Sequence, residues 1–169
     1  TGDEEQDGAL IPSKVSAKCA ERSTSPKEAF SAQEGAAWVC LRSHGIDGGV
    51  MNIVFPKPVI LSEIQLIPGF NRVQSNGKDE WNLHRVITRI KWRAGGKTFI
   101  QEIVPARTVA VFTFPEPVTT TSMALIIQQS VDPDQTVGDT GGGASSPLGG
   151  GSPVDATAVM GLKLIGREA

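Results

Sequence analysis

Apolar residues fall along this chain in short groups separated by Pro and Gly, and several groups alternate with period two. In the clearest case Ile60, Ser62, Ile64 and Leu66 share one face of an extended segment, with Leu61, Glu63, Gln65 and Ile67 on the other. The same pattern predicts strands over Val15–Cys19, Trp38–Leu41, Val50–Phe55, Val59–Pro68, Val86–Arg93, Thr98–Val104, Thr108–Phe114, Ser122–Gln128 and Ala158–Ile165. Pro56, Pro58 and Pro68 bracket the fourth of these too tightly for an ordinary buried helix. Gly95-Gly96 before Lys97-Thr98-Phe99-Ile100 reads as a tight hairpin turn. Only Ser25-Pro26-Lys27-Glu28-Ala29-Phe30 resembles a helix, with Ser25 as cap and Pro26 at the first helical position. Strands at intervals of about 8–12 residues predict an all-β fold, an antiparallel β-sandwich or barrel with long end loops and at most a short helix.

With 169 residues the chain suits one domain. Residues 1–9 are rich in acids and poor in hydrophobes and read as a mobile linker, leaving 10–169 as the domain. Lacking an initiator Met, the chain reads as an excised segment. A formal net charge of −2 gives no overall basic field, which lowers nucleic acid and anionic membrane among expected partners. No run approaches the length of a membrane-crossing helix.

Two connections are long. Ser130 to Ala156 contains the tract Gly141-Gly142-Gly143-Ala144-Ser145-Ser146-Pro147-Leu148-Gly149-Gly150-Gly151 and reads as a flexible insertion at about 132–153. Its acids Asp132, Asp134, Asp139 and Asp155 lack the spacing of a calcium loop. The other, Phe70 to Leu83, joins two firm strands and sets Trp81 among Asn71, Arg72, Asn76, Lys78, Asp79 and Asn82, with His84 just beyond. Sugars are recognised by such a mixture: an indole stacks on the C–H face of a pyranose while amides and charged groups share the hydroxyl hydrogen bonds. Trp81 is therefore either a stacking plane or an inward plug for the loop. Our ligand-binding set takes it as the plane, with Asn71, Arg72, Asn76, Lys78, Asp79, Asn82 and His84 as polar contacts. Arg85 reads as an anchor of the long loop to its own carbonyls or, failing that, as a ligand contact, and Trp38 and Trp92 read as core.

Catalysis finds no motif. The histidines, His44 and His84, lie in unrelated places, and there is no nucleophile elbow, phosphate loop or zinc-protease pair. Cys19 and Cys40 can form a disulfide or remain as two buried thiols. A bridge would contribute roughly 3 kcal/mol and imply an oxidising compartment.

Trp38-Val39-Cys40, then Gly48-Gly49-Val50-Met51-Asn52-Ile53-Val54-Phe55-Pro56-Lys57-Pro58-Val59, then Ile64-Gln65-Leu66-Ile67-Pro68-Gly69-Phe70 and Asn82-Leu83-His84-Arg85-Val86-Ile87-Thr88-Arg89-Ile90-Lys91-Trp92 follow one another in an order that resembles the discoidin-like, galactose-binding-like jelly roll. The chain is similar to the members found as ectodomains of actinobacterial membrane proteins and as NADase-type glycan-binding modules, over roughly Val15 to Ile165. The resemblance implies a β-sandwich with glycan- or protein-binding end loops, chemistry done elsewhere, and a bridged pair such as Cys19 and Cys40. Many relatives carry an acidic segment and a structural calcium before the Trp. Ser31-Ala32-Gln33-Glu34-Gly35-Ala36-Ala37 holds one acid, so the expectation is no cofactor, with calcium as the alternative. The expectation is a non-catalytic extracellular or periplasmic module of a membrane-anchored protein, recognising cell-envelope carbohydrate. The alternative is a protein-interaction ectodomain of an envelope-assembly protein.

Overall fold

Eight antiparallel strands account for most of the alternating segments: β1 (Gly8–Ala9), β2 (Lys14–Lys18), β3 (Trp38–Leu41), β4 (Val50–Ile67), β5 (Val86–Ala94), β6 (Lys97–Glu102), β7 (Ala110–Val131) and β8 (Ala156–Glu168). They are seen in a computed structural model that describes residues 7–19, 24–30, 36–42, 48–73, 75–137 and 156–169. Pro26–Phe30 forms the short helical element, a single 3-10 turn whose Ser25 Oγ accepts from the Lys27 amide at 3.3 Å.

Four of the expected strands are two. Val50–Phe55 and Val59–Pro68 run together as β4, and Thr108–Phe114 and Ser122–Gln128 run together as β7. The interruptions are reciprocal bulges with the same sequence form. Phe55-Pro56-Lys57-Pro58 loops out between the pairs Val54↔Ser122 and Val59↔Thr120, and Phe114-Pro115-Glu116-Pro117 loops out between Leu61↔Val118 and Glu63↔Thr113. Proline has no N–H to leave unpaired at such positions, so it is tolerated where the ladder is broken. In each bulge the prolines are exposed, whereas Phe55, Val59, Phe114 and Val118 are buried and pin the kink to the core.

Each long strand consequently serves both layers of the sandwich. The first half of β4 lies between β2 and the second half of β7, which continues to β5 and β6. The second half of β4 lies between β8 and the first half of β7. Side chains from β4, β5, β7 and β8, with Trp38 of β3, meet in one core that includes Trp92, and both of those indoles are fully buried as expected. At the β5–β6 turn Gly95 and Gly96 have φ of 57° and 74°, the left-handed pair that a two-residue hairpin demands.

Two of the edge strands, β2 and β3, are clasped. β2 pairs with β4 and β3 with β8, and the Cys19–Cys40 disulfide joins them at a Cα separation of 5.4 Å. Of the expected linker 1–9, residues 7–9 are among the described residues and are held against the sandwich. Gly8 and Ala9 pair with Gly166 and Ile165, and the Asp7 carboxylate accepts from Ser62 Oγ at 2.7 Å and from Arg167 at 2.9 Å. Backbone pairing and two side-chain partners outweigh the local polarity that suggested a free segment. Of the expected insertion, Pro133–Gln135 forms a 3-10 turn, while the Gly-rich tract lies outside the described residues.

Two measurements test this frame. Closing the Cys19–Cys40 loop restricts the unfolded chain, so a Cys19→Ala/Cys40→Ala variant should lose about 3 kcal/mol in urea denaturation; an unchanged midpoint would contradict the clasp. The Ser62 hydroxyl and Arg167 hold the Asp7 carboxyl below its ordinary value of 3.8. A lowered carboxyl contributes stability above its unfolded pKa and loses it as pH falls through the folded value. The stability gap between the protein and Asp7→Asn should therefore be widest near neutral pH and close in acid below 3.8.

Candidate functional site

Three connections meet at one end of the sandwich: 68–85 between β4 and β5, 103–109 between β6 and β7, and 132–137 after β7. Trp81 is what they meet around. Asp79 caps the 3-10 turn Glu80–Leu83, its carboxylate accepting from the Trp81 amide at 3.1 Å, and this aims the indole inward. The ring lies against Gly69, where a Cβ would come within 2.7 Å of it, so only glycine leaves room. Its Nε1–H donates to Thr136 Oγ1 at 2.6 Å, and that hydroxyl donates to the Pro133 carbonyl at 2.6 Å. The Arg107 guanidinium sits 5.1 Å from the ring centroid.

Trp81 is therefore not a stacking plane: its relative exposure is 0%. The plug reading is the one the structure adopts, because a gap, a hydrogen-bond acceptor and a covering cation are all supplied from other loops. His84 is likewise corrected as an open polar contact. It is 7% exposed, its ring lies 5.0 Å from that of Phe70, and Nδ1 lies 2.9 Å from the Glu80 carbonyl oxygen.

The other expected contacts surround this plug. The Asp79 carboxylate takes both arms of Arg107, at 2.7 and 3.2 Å, while it caps the turn. Asn71 is exposed and exchanges contacts of 3.4 Å with Arg107, accepting from the guanidinium and donating to the carbonyl. Arg72, Asn76 and Lys78 are exposed, with Asn76 Oδ1 accepting from the Lys78 amide at 2.9 Å, and Asn82 is half-buried within the 3-10 turn. Arg85 is an anchor, but across to β7: it donates to Ser130 Oγ, the Ser130 carbonyl and Asp132 Oδ1, each at 2.7 Å.

Arg107 is the member of this group that sequence reasoning missed. It lies in Pro105-Ala106-Arg107-Thr108, which has no periodicity or motif, and its importance follows only from what Asp79 and Trp81 need in space. Asp132 is engaged by Arg85, and among the described residues no three His, Cys, Asp or Glu side chains gather as a metal-holding group. His44, Asp139 and Asp155 lie outside the described residues.

No protein-family model and no curated protein matches the sequence. Solved structures do match in fold. The family 32 carbohydrate-binding module of NanJ from C. perfringens, solved in complex with galactose, is 16% identical with a TM-score of 0.60, covering 94% of this chain and 98% of that one. The fold is galactose-binding-like. A second family 32 module, from a family 31 glycoside hydrolase of Clostridium perfringens, has a TM-score of 0.60 at 11% identity, covering 96% of this chain and 92% of its own. Chitosan-binding module 1 of a chitosanase/glucanase from Paenibacillus sp. IK-5 reaches 0.58 at 9% identity, with 96% and 99% covered. The discoidin-like, galactose-binding-like jelly roll that the motif order resembled is thus the observed architecture.

Removing the plug should cost far more than removing a surface aromatic. Trp81→Ala should lose about 3–5 kcal/mol in urea denaturation, and Arg107→Ala about 1–2 kcal/mol because Asp79 stays half-buried without its partner. A Trp81→Ala loss under about 0.5 kcal/mol would mean that the indole is not packed as described.

Proposed function

We propose that this chain is a non-catalytic carbohydrate-binding module that works outside the cytoplasm, with the loop end as its binding surface. The observation that carries the reading is the display of Asn71, Arg72, Asn76 and Lys78 at the sandwich end, on a loop braced by Asp79, Arg107 and Trp81. Amides, a guanidinium and an ammonium offer the donors and acceptors that sugar hydroxyls require, and bracing lowers the entropy lost on binding. Since Trp81 is inside, recognition here rests on hydrogen bonding rather than on stacking against that indole. The likeness to carbohydrate-binding modules supports the same reading.

A cell-envelope polysaccharide is the ligand class we favour. The Cys19–Cys40 bridge suits an extracellular or periplasmic site, with the module carried by a membrane-anchored parent chain. A second reading, docking of an envelope protein, is favoured by one observation. Val73, Val104 and Val137 are each more than half exposed at this end, and the Val137 amide bonds to the Pro105 carbonyl, which brings two of the three loops side by side.

Isothermal titration with galactose, N-acetylgalactosamine and cell-wall polysaccharide fragments tests the proposal. Saturable heat is expected, with Arg72→Ala/Lys78→Ala weakening binding by about tenfold at unchanged thermal stability. A folded protein giving no heat with any of them would overturn the sugar reading. A stoichiometric protein crosslinked from envelope extract and insensitive to free sugar would favour the second.

A further inference from the structure

The outer face of the β2–β4–β7–β5–β6 layer carries a charge pattern unlike that of the chain as a whole. Residues directly opposite one another in a sheet point to the same side, so register identifies what this face presents. One row reads Ser16, Asn52, Ala124, Arg93 and Thr98 across the five strands. The row on one side reads Lys18, Val50, Ile126, Lys91 and Ile100, and the row on the other begins Lys14, Val54 and Ser122. The intervening rows point into the core, as the burial of Met51, Leu125 and Trp92 and of Ile53, Met123 and Ala94 requires.

These outward rows hold Lys14, Lys18, Lys91 and Arg93 and no acidic side chain, in a chain whose formal net charge is −2. Beyond them Arg89 already has Glu102 at 3.3 Å. The cations stand in two banks, on β2 and on β5, separated by β4 and β7. At the usual strand spacing the banks are about 14 Å apart. The floor between them is built from Val54, Ser122, Asn52, Ala124, Val50 and Ile126, and over the first four lies a depression of about 410 Å³ that reaches Arg93 and Thr120.

We infer that this trough is a second binding surface, taking an acidic polysaccharide that runs along β4 and β7 between the two banks. Cations on both sides fit a chain bearing regularly spaced carboxylate, sulfate or phosphate groups, and the Asn52 amide and Ser122 hydroxyl fit its sugar hydroxyls. The three rows contain no aromatic side chain on which nucleic acid bases could stack, which favours a glycan over a single-stranded nucleic acid. The trough lies on the sheet face rather than on the loop end, so it stands independently of what the loops bind.

Affinity electrophoresis and calorimetry of the intact chain with polygalacturonate, with neutral galactan and duplex DNA as comparators, test the inference. Polygalacturonate should bind, should not be displaced by free galactose, and should weaken steeply as salt rises from about 50 to about 500 mM. Lys91→Glu/Arg93→Glu and, separately, Lys14→Glu/Lys18→Glu should each weaken binding by about tenfold. Both pairs lie on the sheet surface, and an unchanged thermal midpoint establishes that each variant is folded. No binding at low salt, or binding unchanged in both folded variants, overturns the site. Duplex DNA binding as tightly as polygalacturonate overturns the glycan assignment.

Discussion

A tryptophan in a polar loop can be buried only where its volume finds a gap and its N–H finds an acceptor, and that constraint organises the loop end of this protein. Gly69 provides the gap and Thr136 the acceptor. Arg107 lies over the ring while its two arms hold Asp79, the residue that caps the turn carrying Trp81. Three connections distant in sequence are thereby tied to one side chain. The polar residues around it are held on a packed base.

The frame beneath depends on β4 and β7. Two strands pass from one layer to the other themselves, each kinking at a Phe-Pro-x-Pro-Val segment. Flanking aromatic and aliphatic side chains fix the kinks from within, and the prolines remove the donors that a broken ladder would strand. The disulfide then joins β2, paired with β4, to β3, paired with β8. Loops at one end and an open sheet face are both products of this arrangement. They present different chemistry: amides and mixed polar groups at the end, cations on either side of β4 and β7 on the face.

Local patterns were legible wherever the cause was local. Alternation located the strands, Gly95-Gly96 located the hairpin, and Ser25-Pro26 located the first of three short 3-10 turns among the described residues. The Phe-Pro-x-Pro segments misled because proline usually ends a strand, and only register shows that the partner strand carries the matching bulge. Trp81 could be read as plug or plane because nothing adjacent decides it. Its acceptor is 55 residues away in sequence and its covering arginine lies in a different connection. Asp7 to Ala9 looked free for the same reason, since their partners are Ser62 and the far end of β8. The face of basic rows was invisible without register, because Lys14, Lys18, Lys91 and Arg93 come together only across four strands.

Recognition at the loop end is the central proposal. It is tested most directly by backbone amide NMR during titration with galactose-containing cell-wall fragments, because chemical shifts report place as well as binding. Perturbations should concentrate in residues 70–80 and 105–108, while the Trp81 indole resonance stays that of a buried, hydrogen-bonded group. Saturable binding whose perturbations lie elsewhere, with the loop-end amides unmoved, would contradict it.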